Sequence, residues 1–127
     1  MRLDQDDVRP IYLQIAEGIE DDILNGLLEE EEQAYSQYQI AKQFGINPAT
    51  AAKGINQLVQ RGILYKKRGL GMYVAKGARG EIMQERRSLF VETVLKNLLD
   101  EACKLGITED DLIAMIKKKS HEVHDHE

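Results

Sequence analysis

The stretch SQYQIAKQFGINPATAAKGINQLVQRG, residues 36–62, decides how this chain is read. Ser36 is an N-cap residue type and opens a segment that Gly45 can turn. Asn47 is a second N-cap type, and Pro48 follows it at a first helical position, where the missing N–H is no loss. Ile55, Leu58 and Val59 give the second segment a buried face, and Gly62 ends it after about Arg61. Two helices joined by a short glycine-containing turn form a helix-turn-helix.

The next residues, LYKKRGLGMYV at 64–74, hold a Gly-x-Gly beside three basic residues. A dinucleotide-binding loop would need a third glycine where Val74 stands, and a helix after it. Here the pieces ILYKKRG and GMYVA read instead as two short strands around a turn, so the glycines serve as turn residues. A hairpin directly after a helix-turn-helix is a wing.

Upstream, a helix is expected from Pro10 to about Asn25, with Ile11, Ile15, Ile19, Ile23 and Leu24 at helical spacing and Gly26 beyond its end. LLEEEEQAY is expected to be a solvated connector, since consecutive glutamates cannot converge on one ion. Downstream, KGARG at 76–80 reads as a hinge-like linker. A long helix follows over 81–105, with an apolar stripe of Ile82, Leu89, Phe90, Val94, Leu98, Ala102 and Leu105. Gly106 breaks it. Thr108 with Asp111 starts a last short helix bearing Leu112, Ile113, Met115 and Ile116, and the tail KKKSHEVHDHE reads as frayed.

The net charge of −5 argues against a nucleic-acid partner only until its distribution is read. Residues 1–32 hold 2 basic and 11 acidic side chains, and residues 81–127 hold 7 and 11. Residues 33–80 hold 8 basic side chains (Lys42, Lys53, Arg61, Lys66, Lys67, Arg68, Lys76, Arg79) and no acid. Such a block suits a surface that approaches a polyanion while the rest of the chain stays anionic.

Candidate contacts follow from the helix-turn-helix pattern. A recognition helix offers its N-terminal residues to base edges, here Asn47, Ala49, Thr50 and Lys53. Asn47 also reads as a plain cap, and the two roles are compatible. Thr50 suits a base or a phosphate, and Lys53 a phosphate or a guanine edge. Ser36 sits where a helix N-terminus can meet phosphate. Tyr35 and Tyr38 carry hydroxyls for phosphate, with Tyr38 equally readable as partial core. Lys66, Lys67 and Arg68 flank the wing.

Enzymatic chemistry finds no support. The three histidines, His121, His124 and His126, all lie in the tail, where no functional metal site is expected. Cys103 is alone, so no internal disulfide is possible, and it reads as a buried, inert thiol. No run of 18 apolar residues exists and MRLDQDDVRP has no apolar segment, so neither a membrane span nor a signal peptide is expected. A cytoplasmic protein without cofactor fits.

Taken together, PIYLQIAEGIEDDIL and SQYQIAKQFGINPATAAKGINQLVQRGILYKKRGLGMYVA resemble the GntR family of bacterial winged helix-turn-helix regulators. The short C-terminal piece resembles the YtrA subfamily, in which two helices replace a large effector domain and dimerise. The resemblance implies phosphate contact at Ser36, a recognition helix starting at Asn47, Ala49 and Thr50, and a wing tip of Arg68, Gly69 and Gly71 entering the minor groove. Tyr38 and Ala52 stand where the family often has arginine, and Leu70 where it often has a polar or basic residue.

The expected fold is mainly α with a small β-hairpin. Residues 1–76 would form the winged helix-turn-helix, and residues 77–127 a two-helix dimerisation region built on Leu89, Phe90, Val94, Leu98, Ala102, Leu105, Leu112 and Ile116. The expected function is a homodimeric repressor on a palindromic DNA operator. The subfamily resemblance implies an ABC-transporter operon as target, with the dimer seam as the place for an unknown small-molecule effector. A winged-helix module that binds protein rather than DNA is the alternative.

Overall fold

The computed structural model describes residues 1–4 and 6–124. It divides into two compact units, Met1–Glu85 and Arg86–Glu127.

The first unit is built on three helices. Helix α1 (Ile11–Leu24) follows Pro10 and buries Ile15, Ile19 and Ile23, one face of a 3.6-residue repeat. Helix α2 (Gln37–Phe44) opens on a capping box: the Ser36 Oγ accepts from the Gln39 N–H at 3.1 Å, and the Gln39 Oε1 accepts from the Ser36 N–H at 2.8 Å. Gly45 ends it in the left-handed conformation, at φ 64°. Helix α3 (Pro48–Gln60) starts on Asn47, whose Oδ1 accepts from the Ala49 N–H at 2.8 Å. It buries Ala51, Ile55 and Leu58 against α1 and α2. Gly54 lies at a close approach of α1 and α3. A Cβ there would stand 2.7 Å from the Tyr12 carbonyl oxygen.

Strands β1 (Leu64–Lys67) and β2 (Gly71–Val74) pair antiparallel, with Leu64 opposite Val74 and Lys67 opposite Gly71. Leu64, Val74 and the adjoining Ile63 complete the core. The connector's glutamates are exposed as their charge demands, but Leu28 and Ala34 are buried in the core and its backbone is not free. Glu31 N–H donates to the Val74 carbonyl at 2.8 Å, Val74 N–H to Glu32 at 3.0 Å, and Ala34 N–H to Met72 at 2.8 Å. A bridge between Gln33 and Tyr73 thus extends the hairpin by a short third edge. Glu31 takes a positive φ of 67° to enter it, unlike any other described non-glycine residue.

Helix α4 (Ala78–Phe90) begins within the expected hinge, because Ala78 and Ile82 are buried in the first core. Only Lys76 and Gly77 remain outside a helix. A π-helical segment (Val91–Leu95) interrupts the expected continuous helix before α5 (Lys96–Lys104). There the Thr93 hydroxyl donates to the Leu89 carbonyl at 2.7 Å, competing with the backbone ladder. After Gly106, at φ 69°, Thr108 Oγ1 accepts from Asp111 N–H at 3.2 Å. Helix α6 then runs Glu109–His124, longer than the expected short helix with a frayed tail. Lys117, Lys118 and Lys119 are good helix formers, and a Lys119–Glu122 ion pair at 3.6 Å links successive turns. His126 lies outside the described residues.

Candidate nucleic-acid interface

The helix-turn-helix carries its candidate contacts on helix starts. Ser36 and Asn47 are exposed N-caps, Tyr38 is exposed in the first turn of α2, and Ala49 is exposed in the first turn of α3. Thr50 is half-buried. Tyr38 is 69% exposed, which decides against the partial-core reading. Tyr35 is different. Its hydroxyl donates to the buried Asp22 carboxylate at 2.6 Å, so it is committed to the core. Burial and the neighbouring Asp22 push its pKa up to about 12.

The wing turn closes with the Leu70 N–H donating to the Lys67 carbonyl at 2.9 Å. Gly69, third of the four turn residues, has φ 79°, a type II geometry that side chains rarely accept. Gly71 follows at φ 112°, and the Gln33 side chain donates to the Leu70 carbonyl at 2.8 Å. The wing tip is therefore braced from the connector.

Strand alternation separates the two wing lysines. Lys66 is exposed opposite Met72. Lys67 lies with Tyr65 and Tyr73, its ammonium 4.1 Å from the Tyr73 ring centroid. The tyrosine hydroxyl of Tyr65 donates to Glu31 at 2.6 Å, and that carboxylate raises the Tyr65 pKa. An acid from the connector thus stands beside a strand that the charge count left free of acids.

The eight cations do not act as one set. Arg61, at the end of α3, is held by Glu20 at 3.1 Å and by Glu85. Burial opposes its charge, but the hydrogen bonds it donates to both carboxylates outweigh burial and raise its pKa. Arg79 donates its backbone N–H to Glu30 at 3.3 Å and its Nε to the Leu24 carbonyl at 3.4 Å. Lys42, Lys53, Lys66, Lys67 and Arg68 remain on α2, α3 and the wing. Sequence reasoning missed Tyr12, Gln37, Asn56 and Gln60, which line a trough of about 630 Å³ with Ala49, Ala52 and Lys53. The helical spacing of 49, 52, 53, 56 and 60 could have found the α3 members.

In the second unit, Leu89, Phe90, Val94, Leu98, Leu105 and Ile116 are exposed and Leu112 is half-buried. Ala102 is buried. Leu95, Leu98, Leu99, Ile107, Ile113 and Ile116 line an apolar groove of about 570 Å³. Cys103 is exposed at this groove, contrary to the expected buried thiol, because the apolar side chains around it leave the groove open to solvent. Among the described residues, no group of three or more His, Cys, Asp or Glu side chains is placed to hold a metal. None of the described helices is long and apolar enough to cross a membrane.

Comparison with known proteins agrees with this geometry. Residues 11–74 match the model of the bacterial regulatory proteins of the gntR family. The chain is 33% identical over 84 residues to the HTH-type transcriptional repressor NagR of Bacillus subtilis, covering 66% of this chain and 35% of NagR. The chain thus spans about a third of that relative's length. It is 27% identical over 123 residues to the HTH-type transcriptional repressor YtrA of Bacillus subtilis, covering 97% of this chain and 94% of YtrA. Among solved structures, a GntR-family transcriptional regulator from Bacteroides thetaiotaomicron superposes with a TM-score of 0.75 at 31% identity, covering 88% of this chain and 97% of that one. The DNA-binding domain of AraR in complex with operator ORR3 superposes with a TM-score of 0.52 at 31% identity, covering 59% of this chain and 90% of that one.

Proposed function

The chain belongs to the GntR family of bacterial regulatory proteins, as a YtrA-like DNA-binding regulator and not an enzyme, and from that premise we propose that it is a homodimeric repressor of a palindromic operator. In this reading residues 1–76 bind DNA and residues 77–127 pair the subunits. Helix α3 enters the major groove through Asn47, Ala49, Thr50 and Lys53. Ser36 and Tyr38 meet backbone phosphates. Lys66, Lys67, Arg68, Gly69 and Gly71 bring the wing to the adjacent groove.

The observation that carries the reading is the acid-free block of residues 33–80, which coincides with α2, α3 and the wing. Five of its eight cations, Lys42, Lys53, Lys66, Lys67 and Arg68, are on those elements, and Lys76 is exposed just beyond the wing. Supporting the dimer is the apolar face of the second unit, where Leu89, Phe90, Val94 and Leu105 are each more than half exposed. A two-fold dimer would present two copies of α3 to half-sites about one helical turn apart, roughly 34–36 Å, or a multiple of it. The proposal extends to a cytoplasmic setting, an effector at the dimer seam, and an ABC-transporter operon by likeness to the YtrA subfamily.

Selection of bound sites from a random duplex pool tests it. Enrichment of an inverted repeat is expected. Enrichment of a single unrepeated site would refute the dimeric, palindromic reading, and no enrichment at any salt would refute DNA recognition.

A further inference from the structure

The trough beside α3 holds a pairing between α1 and the recognition helix. Lys53 is the one charged residue of α3, and its ammonium sits 4.0 Å from the centroid of the Tyr12 ring on α1. We propose that Tyr12 is a positioning residue for DNA binding: its ring holds the Lys53 ammonium at the trough wall, where it meets a backbone phosphate rather than a base edge. The inference rests on the DNA-binding reading and narrows it.

Three features support it. The distance lies well inside the ~6 Å range over which a ring face attracts a cation. A lysine on a flexible four-carbon stem gains most from such a hold, because its rotamers are otherwise numerous. The backbone that bears the ring is closely placed as well. Gly54, next to Lys53, is the residue that lets the Tyr12 backbone approach, with the Tyr12 carbonyl oxygen 2.7 Å from where a Cβ would be. The segment that carries the ring is thus packed directly on α3.

The choice of phosphate over base follows from placement. Base edges are met by the first turn of a recognition helix, and Lys53, six residues past the Asn47 cap, stands in the second turn, drawn toward α1. An ammonium is a point charge with no preferred plane, which a phosphate accepts from many directions. One face of the ammonium rests on the ring, and its remaining N–H donors stay available. Ala49 and Ala52 on the same wall add no polar group, and Gln37, Asn56 and Gln60 add no charge.

The test uses the full chain and two duplexes, one selected by the wild type and one of random sequence. Tyr12→Leu should weaken binding of the dimer to both by about five- to thirty-fold, or two- to five-fold per subunit, while Tyr12→Phe keeps the wild-type value. Lys53→Met should weaken both duplexes alike and reduce the slope of log K against log salt by about 2, one phosphate in each subunit of the dimer. In the Lys53→Met background, Tyr12→Leu should have no further effect. Full additivity of the two changes would overturn the proposal, as would loss at Lys53→Met confined to the selected duplex. Thermal melting of each variant separates lost positioning from lost fold, and additivity remains decisive for every folded variant. A wild type that binds neither duplex would defeat the DNA-binding reading and this one with it. Wild-type binding with additive variants would defeat this one alone.

Discussion

Gly54 and Gly80 both lie within helices, and alanine at each should have opposite effects. In an open helix position, Gly→Ala stabilises by about 0.5–1 kcal/mol through reduced unfolded-state freedom and better helix propensity. Gly80, in the first turn of α4, is exposed and has no atom within 4 Å of an added Cβ, so Gly80→Ala should show this gain. At Gly54 the new Cβ would lie 2.7 Å from the Tyr12 carbonyl oxygen, and 3.0 and 3.1 Å from Ile15 side-chain carbons. Neither neighbour gives way cheaply. The first is backbone, and Ile15 is fully buried in the core. Helix α1 would have to shift off α3, at an overpacking cost of about 1–3 kcal/mol. Set against the propensity gain, Gly54→Ala should destabilise by about 0.5–2 kcal/mol. Urea unfolding followed by circular dichroism would read both variants. Stabilisation at Gly54 equal to that at Gly80 would refute the claim that the α1–α3 contact reserves this position for glycine.

Asn47 separates capping from recognition: Asn47→Asp should preserve thermal stability but weaken DNA binding, whereas Asn47→Ala should cost about 1 kcal/mol of stability as well. Unchanged DNA affinity in the aspartate variant would leave Asn47 a cap alone. Tyr35 predicts an alkaline response. Its folded pKa of about 12 lies above the ordinary 10, so its contribution is fully present below pH 10 and is lost as pH rises toward 12. Stability measured across that window should fall in the wild type and fall less in Tyr35→Phe. In the second unit, Leu98→Glu should convert a dimer of twice 14.4 kDa into a monomer in sedimentation at micromolar concentration. A wild type already monomeric there would remove the homodimer.

How far the sequence could be read depended on whether a feature was local. The helix-turn-helix was legible because Ser36, Gly45, Asn47 and Pro48 each act within one turn, and all four sit at the helix ends they signal. The wing was legible for the same reason, since Gly69 and Gly71 mark a turn. What escaped was set by distant partners. Nothing near KGARG shows that Ala78 and Ile82 reach the first core, so a helix start was taken for a hinge. The glutamates at 29–32 announced solvent exposure, while the backbone pairing of Glu31, Glu32 and Ala34 with β2 depends on residues about 40 positions away. The charge block was real as a count. It could not reveal that Glu20 and Glu85, from outside the block, would claim Arg61. Among the candidate contacts, α3 positions were visible as a helical face. Tyr12 was not, because its relation to Lys53 exists only once α1 crosses α3.

The salt dependence of binding to a selected duplex tests the account most directly. Lys53, Lys66, Lys67 and Arg68 from two subunits would release counterions on binding, at about 0.9 per neutralised phosphate. The logarithm of the affinity should therefore fall against the logarithm of salt concentration with a slope of roughly −4 to −7. A slope near zero, with affinity retained, would show that these cations do not face phosphates and would contradict the account.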